Sequence, residues 1–189
     1  MNALEGFELE YKYRADNVLL EDFRRFCASL GDSEHVEAAG YDYFFADPKR
    51  DGDFLRHRIG PEFNQLTLKR KLDDNNVLRN EYNIMLAQDT QVSQVDALAH
   101  SFGFEFNRRI YKNVFVYKYD KYTVCFYACY DDNLKELGRF VEIEMAEEYP
   151  WQSKEEATKL LQILEDKVGV LGITYKNRMR KSLFEQFRK

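Results

Sequence analysis

Cysteine is scarce in this chain of 189 residues, and the little there is offers no pairing pattern. Cys27, Cys125 and Cys129 are odd in number and lack C-x-x-C spacing. That argues against a disulfide framework and against a zinc site, and it suits reduced thiols in an intracellular protein. Histidine is equally sparse: His35, His57 and His100 are scattered and form no ligand motif. Basic charge is not in excess either, with 28 Lys and Arg against 33 Asp and Glu and a net charge of -5. A general nucleic-acid binder is thereby disfavoured, and any polyanion site must be local. No apolar run nears the length of a membrane span, and the first residues lack the basic-then-apolar pattern of a secretion signal. The expectation is a soluble cytoplasmic protein with no membrane partner.

What the chain does contain is alternation. Its length fits one domain over 1–189, with apolar and aromatic residues enough for a sizeable core. Strand-like alternation recurs at 5–14, 36–46, 53–60, 64–72, 77–86, 104–118, 121–131 and 138–146, most neighbours being expected to pair antiparallel. Asp47-Pro48-Lys49-Arg50-Asp51-Gly52 and Asp73-Asp74-Asn75-Asn76 read as turns. Four helices interrupt the strands. The first carries Leu19, Leu20, Phe23, Phe26, Cys27 and Leu30 between a cap at Asp16-Asn17 and a stop at Gly31. The second, near 91–102, is carried by Val92, Val95, Leu98 and Phe102. A capping box at Ser153 to Glu156 starts a third that buries Ala157, Leu160, Leu161 and Leu164, and a basic last helix carries Met179, Leu183 and Phe187.

The charges are sorted by face. On a strand, residues two apart point to the same side, so Glu8, Glu10 and Lys12 oppose Leu9, Tyr11 and Tyr13. Arg56 and Arg58 oppose Leu55, His57 and Ile59; Thr67, Lys69 and Lys71 oppose Leu66 and Leu68; Arg79, Glu81 and Asn83 oppose Tyr82 and Ile84; Glu142 and Glu144 oppose Val141 and Ile143. Two architectures satisfy this pattern. One is an open antiparallel sheet with a wet face; the other is an eight-stranded barrel whose lumen is lined by acids and bases. Carboxylates that would suit a hard cation sit in the first and last motifs, and the Arg and Lys residues that would suit phosphate lie between them.

Five motifs in this order, E-x-E-x-K at 8–12, L-R-x-R at 55–58, T-L-K at 67–69, R-x-E at 79–81 and F-V-E-I-E at 140–144, resemble those of the CYTH superfamily of triphosphate tunnel metalloenzymes. The resemblance implies an α+β fold, a closed antiparallel eight-stranded β-barrel with surrounding helices, that binds a triphosphate with Mg or Mn. It implies that Glu8, Glu10, Glu142 and Glu144 hold metal, and that Lys12, Arg56, Arg58, Lys69, Lys71 and Arg79 grip phosphates. Arg108 and Lys112 are expected to join them on the strand before the Cys125 segment, with Arg109 as the alternative register. Glu81 is a further lumen acid, and Tyr41 falls where short bacterial inorganic triphosphatases carry a tyrosine that works with the motif lysine, here Lys12.

Those short triphosphatases also share the Leu55-Arg56-His57-Arg58, Arg79-Asn80-Glu81-Tyr82 and Tyr175-Lys176-Asn177 elements. The His-Phe pair that precedes E-x-E-x-K in bacterial class IV adenylyl cyclases is missing from Asn2 to Phe7. Hydrolysis of inorganic tripolyphosphate or of a nucleoside or thiamine triphosphate is therefore expected. Class IV adenylyl cyclase activity and a non-catalytic triphosphate-binding module are the alternatives. Beyond small triphosphates, only an RNA 5′-triphosphate end is left as a nucleic-acid partner, and a homodimer is left open. Two departures bear on the site: Val124 to Cys129 lacks the family's aspartate, with Asp131 and Asp132 arriving late, and Asn83 replaces a common second glutamate.

Overall fold

The computed structural model describes residues 7–72 and 78–188, the side chains of Phe7, Leu78 and Arg79 lying outside that description. Eight strands and four α-helices follow in the order β1 (Phe7–Arg14), α1 (Leu20–Ser29), β2 (Glu34–Ala46), β3 (Phe54–Ile59), β4 (Asn64–Lys71), β5 (Leu78–Met85), α2 (Val92–Ser101), β6 (Glu105–Lys118), β7 (Tyr122–Tyr130), β8 (Glu136–Met145), α3 (Lys154–Val168) and α4 (Leu183–Phe187). The strands pair antiparallel in the order β1-β5-β4-β3-β2-β6-β7-β8, and the sheet curls until β1 lies between β8 and β5. Its inner face lines a tunnel. Among the described residues, no helix is long and apolar enough to cross a membrane.

Alternation decides which side chains face the tunnel. On β1, Leu9, Tyr11 and Tyr13 turn outward and join Val124, Phe126, Val141 and Ile143 in a core covered by Phe23 and Phe26 of α1 and by Ala157, Leu161 and Leu164 of α3. A smaller outer cluster seats Val95 and Ala99 of α2 on Phe45, Leu55 and Leu66. With its odd-numbered face under helices, β1 commits Glu8, Glu10 and Lys12 to the interior. Once the sheet curls, the face that an open sheet would leave in water becomes a buried wall.

Several expectations are corrected at element ends. Leu19, not Asp16 or Asn17, holds the N-cap position of α1 and makes no side-chain cap bond. Asp16 instead accepts from Arg14 Nε at 2.7 Å and from the Arg139 amide at 3.0 Å. In α2 the buried positions are Val95 and Ala99, while Leu98 and Phe102 are exposed, because the helix touches the sheet along a narrower stripe than four apolar residues suggest. Ser153 Oγ accepts from the Glu156 amide as a cap should, but the Glu156 carboxylate reaches past it to the Gln152 amide. The last helix starts at Leu183, so Lys176, Arg178, Arg180 and Lys181 precede it. There the Met179 amide donates to the Lys12 carbonyl at 2.7 Å, tying this segment to β1. The turn at 47–52 closes with Gly52 at φ 91°, whereas the turn at 73–76 lies outside the described residues.

Candidate functional site

A cavity of about 220 Å³ occupies the tunnel, walled by Glu8, Glu10, Lys12, Asp42, Arg56, Arg58, Lys69, Glu81, Lys112, Cys125, Tyr127, Glu142 and Glu144. Ladder register brings these residues together from distant parts of the chain. Lys12 lies opposite Glu142 and Glu10 opposite Glu144, Lys69 opposite Glu81, and Cys125 opposite Glu142. Sequence reasoning could reach the face of each strand; only the pairing sets which charges meet.

At the acidic side, Glu8, Glu10 and Glu142 each offer a carboxylate oxygen within 4.8 Å of the other two. Glu8 Oε2 and Glu10 Oε2 are buried without a hydrogen-bond partner. Such an orphaned acceptor costs roughly 1–3 kcal/mol, so the donor set fits a hard cation. The local charge balance agrees. Burial, then repulsion from Glu142, pushes the Glu10 carboxyl well above the usual carboxylate range. Burial and Glu8 push Glu144 up to about 8. Glu142 moves the other way: burial opposes its ionisation, but the Lys12 ammonium and hydrogen bonds shared with Glu10 and Tyr127 hold it well below its ordinary value. Tyr127 Oη donates to Glu142 Oε2 at 2.8 Å.

The cations interleave with these acids. Lys12 Nζ sits 2.8 Å from Glu10 Oε1 and 3.4 Å from Glu142 Oε1. Burial alone would lower its pKa, yet the two glutamates outweigh it and raise it, so Lys12 is a fixed cation here and not a base. Lys69 pairs with Glu8 and lies 2.6 Å from Glu81 Oε2. Arg56 donates to Thr67 Oγ1 at 3.3 Å and approaches Glu81 at 3.8 Å, while its Nε is buried without an acceptor. Burial opposes the charge of Glu81 too, but Lys69 and Arg56 hold its carboxyl well down.

Asp42, which the sequence reading passed over, anchors the other side. Its carboxylate accepts from Arg58 Nε at 2.7 Å and Arg58 Nη2 at 3.0 Å, and Lys112 Nζ stands 3.5 Å away. Although burial acts against ionisation, Arg58 and Lys112 hold Asp42 far below the usual range. Lys112 also lies 4.2 Å above the Tyr127 ring, and burial pushes its ammonium pKa down. The missed signal was an acid inside the apolar run Tyr41 to Phe45, in phase with Phe44. On β7 the cavity wall is formed by Cys125 and Tyr127 and carries no acid, and burial raises the Cys125 thiol well above the ordinary value.

Three expected residues sit elsewhere. Tyr41 alternates with Asp42 and so turns outward, its ring 5.1 Å from Tyr111 and beneath Arg109 at 5.0 Å; it is no partner for Lys12. Arg108 donates to the Phe187 carbonyl at 2.6 Å, so it holds α4 and lies off the cavity wall. Lys71 shares the face of Lys69 but lies beyond the wall, packed beside Gly52. The Arg79 side chain lies outside the described residues, though its backbone pairs with Glu8. Asp131 accepts from the amides of Asn133 and Lys135, and Asp132 pairs with Arg109 at 2.7 Å, so neither replaces the missing lumen acid.

The CYTH domain profile matches residues 6–181. No curated protein matches the chain by sequence. Among solved structures, the PH1012 protein of Pyrococcus horikoshii superposes with a TM-score of 0.73 at 24% identity, over 94% of this chain and 98% of that one. A proposed adenylate cyclase from Vibrio parahaemolyticus gives 0.69 at 16% identity, over 96% and 97%. HpAC1 from Hippeastrum, a proposed adenylyl cyclase with a dominant triphosphatase activity, gives 0.54 at 15% identity, over 95% and 94%. At these identities the superpositions establish a shared fold.

Proposed function

The chain belongs to the CYTH family, and on that premise we propose that it is a metal-dependent triphosphatase, one domain over 1–189 whose sheet closes into a barrel at the β1–β5 seam. The reaction is hydrolysis of the terminal phosphoryl group of a linear triphosphate held inside the tunnel. One observation carries the reading: three convergent glutamates, two with orphaned buried oxygens, stand beside Lys12, Lys69, Arg56 and Arg58 in one cavity. All-oxygen donors suit Mg or Mn, held by Glu8, Glu10 and Glu142 with Glu144 beside them. Bound there, the cation supplies charge neutralisation at the phosphate oxygens.

The chain's own residues do the rest. Lys12 and Lys69, released from their glutamates, pair with phosphate oxygens, and Arg56, whose Nε lacks an acceptor, does the same without giving up a bond. Arg58 and Lys112, steadied by Asp42, stabilise the charge that develops on the leaving phosphates. Glu81, held ionised by Lys69 and Arg56, accepts a hydrogen bond from the attacking water. The described cavity wall has no Ser-His or Cys-His pair, in keeping with direct attack by water. The three free cysteines accord with a reducing cytoplasm.

Incubation with tripolyphosphate or ATP and Mg or Mn tests this. A triphosphatase yields ADP and phosphate from ATP, and Glu10→Ala should reduce metal-dependent phosphate release by at least about a hundredfold. Cyclic AMP with pyrophosphate would replace this reading by a cyclase. Tight binding without any product would leave a binding module.

A further inference from the structure

The inner face of β7 sets an uncharged side chain among charges. Tyr127 is 1% exposed, yet it belongs to the cavity wall and touches both the acidic side and the Asp42 clamp. Ladder register explains how. Tyr127 lies opposite Phe140 of β8, and Glu142 is the next inward residue on that strand, so a side chain of tyrosine length reaches it on the diagonal.

The ring is held independently of its hydroxyl. It stacks on Phe140, with centroids 5.3 Å apart and planes inclined by 27°, inside the buried cluster of Phe44 and Phe54 that Phe184 of α4 completes. The Lys112 ammonium lies 4.2 Å from the ring centroid, a cation-π contact that restrains Lys112 in addition to Asp42. With the ring fixed, the hydroxyl has a fixed place too. A phenol is protonated at neutral pH and donates, and its acceptor here is Glu142 Oε2 at 2.8 Å.

Glu8 and Glu10 are held differently. Their Oε1 atoms take the ammonium groups of Lys69 and Lys12, their Oε2 atoms are buried without a partner, and among the described residues no hydroxyl bonds to either carboxylate. Lysines that turn to phosphate oxygens give up these carboxylates. Tyr127 carries no charge to offer a phosphate and is packed on all sides by its cluster, so its bond to Glu142 is the restraint that stays. We infer that Tyr127 is a positioning residue for the metal site: its hydroxyl holds Glu142 Oε2, fixes the plane of that carboxylate and leaves Oε1, which faces Lys12 Nζ at 3.4 Å, to meet the cation. This rests on Glu8, Glu10 and Glu142 being the metal set.

Mn binding in the absence of substrate, followed by calorimetry, tests it. Tyr127→Phe removes the hydroxyl and keeps the ring with its stack on Phe140, so the fold is retained, and it should weaken Mn about tenfold or more. In a Glu142→Ala background the same change should cost less than about twofold, because no carboxylate is left for the hydroxyl to orient. Mn affinity unchanged in Tyr127→Phe overturns the inference and leaves the metal set standing. Equal losses in both backgrounds overturn it as well, since a hydroxyl that only supports packing would act regardless of Glu142. A wild type that takes up no Mn removes the metal reading and this inference together.

Discussion

Asp42 neutralises Arg58 and Lys112 with one carboxylate that is 2% exposed. Asp42→Asn removes the nearest counter-charge of both cations. Breaking a buried pair costs several kcal/mol, and the partial exposure of Arg58 trims this to about 2–3 kcal/mol of folding stability. Because an anion can take the vacated place, millimolar tripolyphosphate should recover much of the loss; an unchanged melting temperature in Asp42→Asn would show the clamp to be idle. His57 gives a second residue-scale test. It is fully buried on the outer face of β3, where its Nε2 lies 2.7 Å from Asn64 Oδ1 and its Nδ1 has no partner. Burial depresses its pKa below the ordinary 6.5. Below about pH 6.5 the unfolded chain therefore binds a proton that the native state refuses, and stability falls by up to about 1.4 kcal/mol per pH unit until the folded pKa is reached. A His57→Leu variant, weaker at pH 8, should lose less stability than wild type between pH 7 and 5.5; parallel denaturation curves would contradict this.

At the scale of elements, α4 is short, yet it carries the stopper of the tunnel. Phe184 packs on Phe54 and Phe44, and Arg108 fastens the helix by the Phe187 carbonyl. Phe184→Ala should cost about 3 kcal/mol by cavity formation, read by chemical denaturation. A loss below about 1 kcal/mol would mean that the helix is loosely docked. This element also marks where sequence reading stops. The alternation of Glu8, Glu10 and Lys12 or of Arg56 and Arg58 was legible because one face had to be covered by helices, and the strand face follows from period two. The same rule misplaced nothing on those strands. Tyr41 went wrong because a motif position was carried over in place of the strand's own phase, which puts Asp42 inside. Arg108 has the inward phase but meets α4, and no local pattern at Arg108 announces a helix 79 residues away in sequence. Which charges face each other depends on ladder register between strands far apart in the chain, and that is fixed by turns and packing that single-strand patterns do not contain.

For the molecule as a whole, the charges of the lumen pair with one another: Lys12 with Glu10 and Glu142, Lys69 with Glu8 and Glu81, Arg58 and Lys112 with Asp42. On the proposed reading, a divalent cation and a triphosphate added together would exchange these pairs for stronger ones, whereas either alone would leave one set of charges unbalanced. Thermal shifts should therefore be more than additive. At a hundredfold excess over Kd the pair should add about 2.7 kcal/mol, and a joint shift no larger than the sum of the separate ones would count against this coupling. The stopper at Phe184 carries a last consequence. A passage filled at one end works as a queue with one door: whatever enters last must leave first. On the proposed reading, the product nearest the open end has to clear it before the deeper one can follow, so the products are expected to leave in a fixed order.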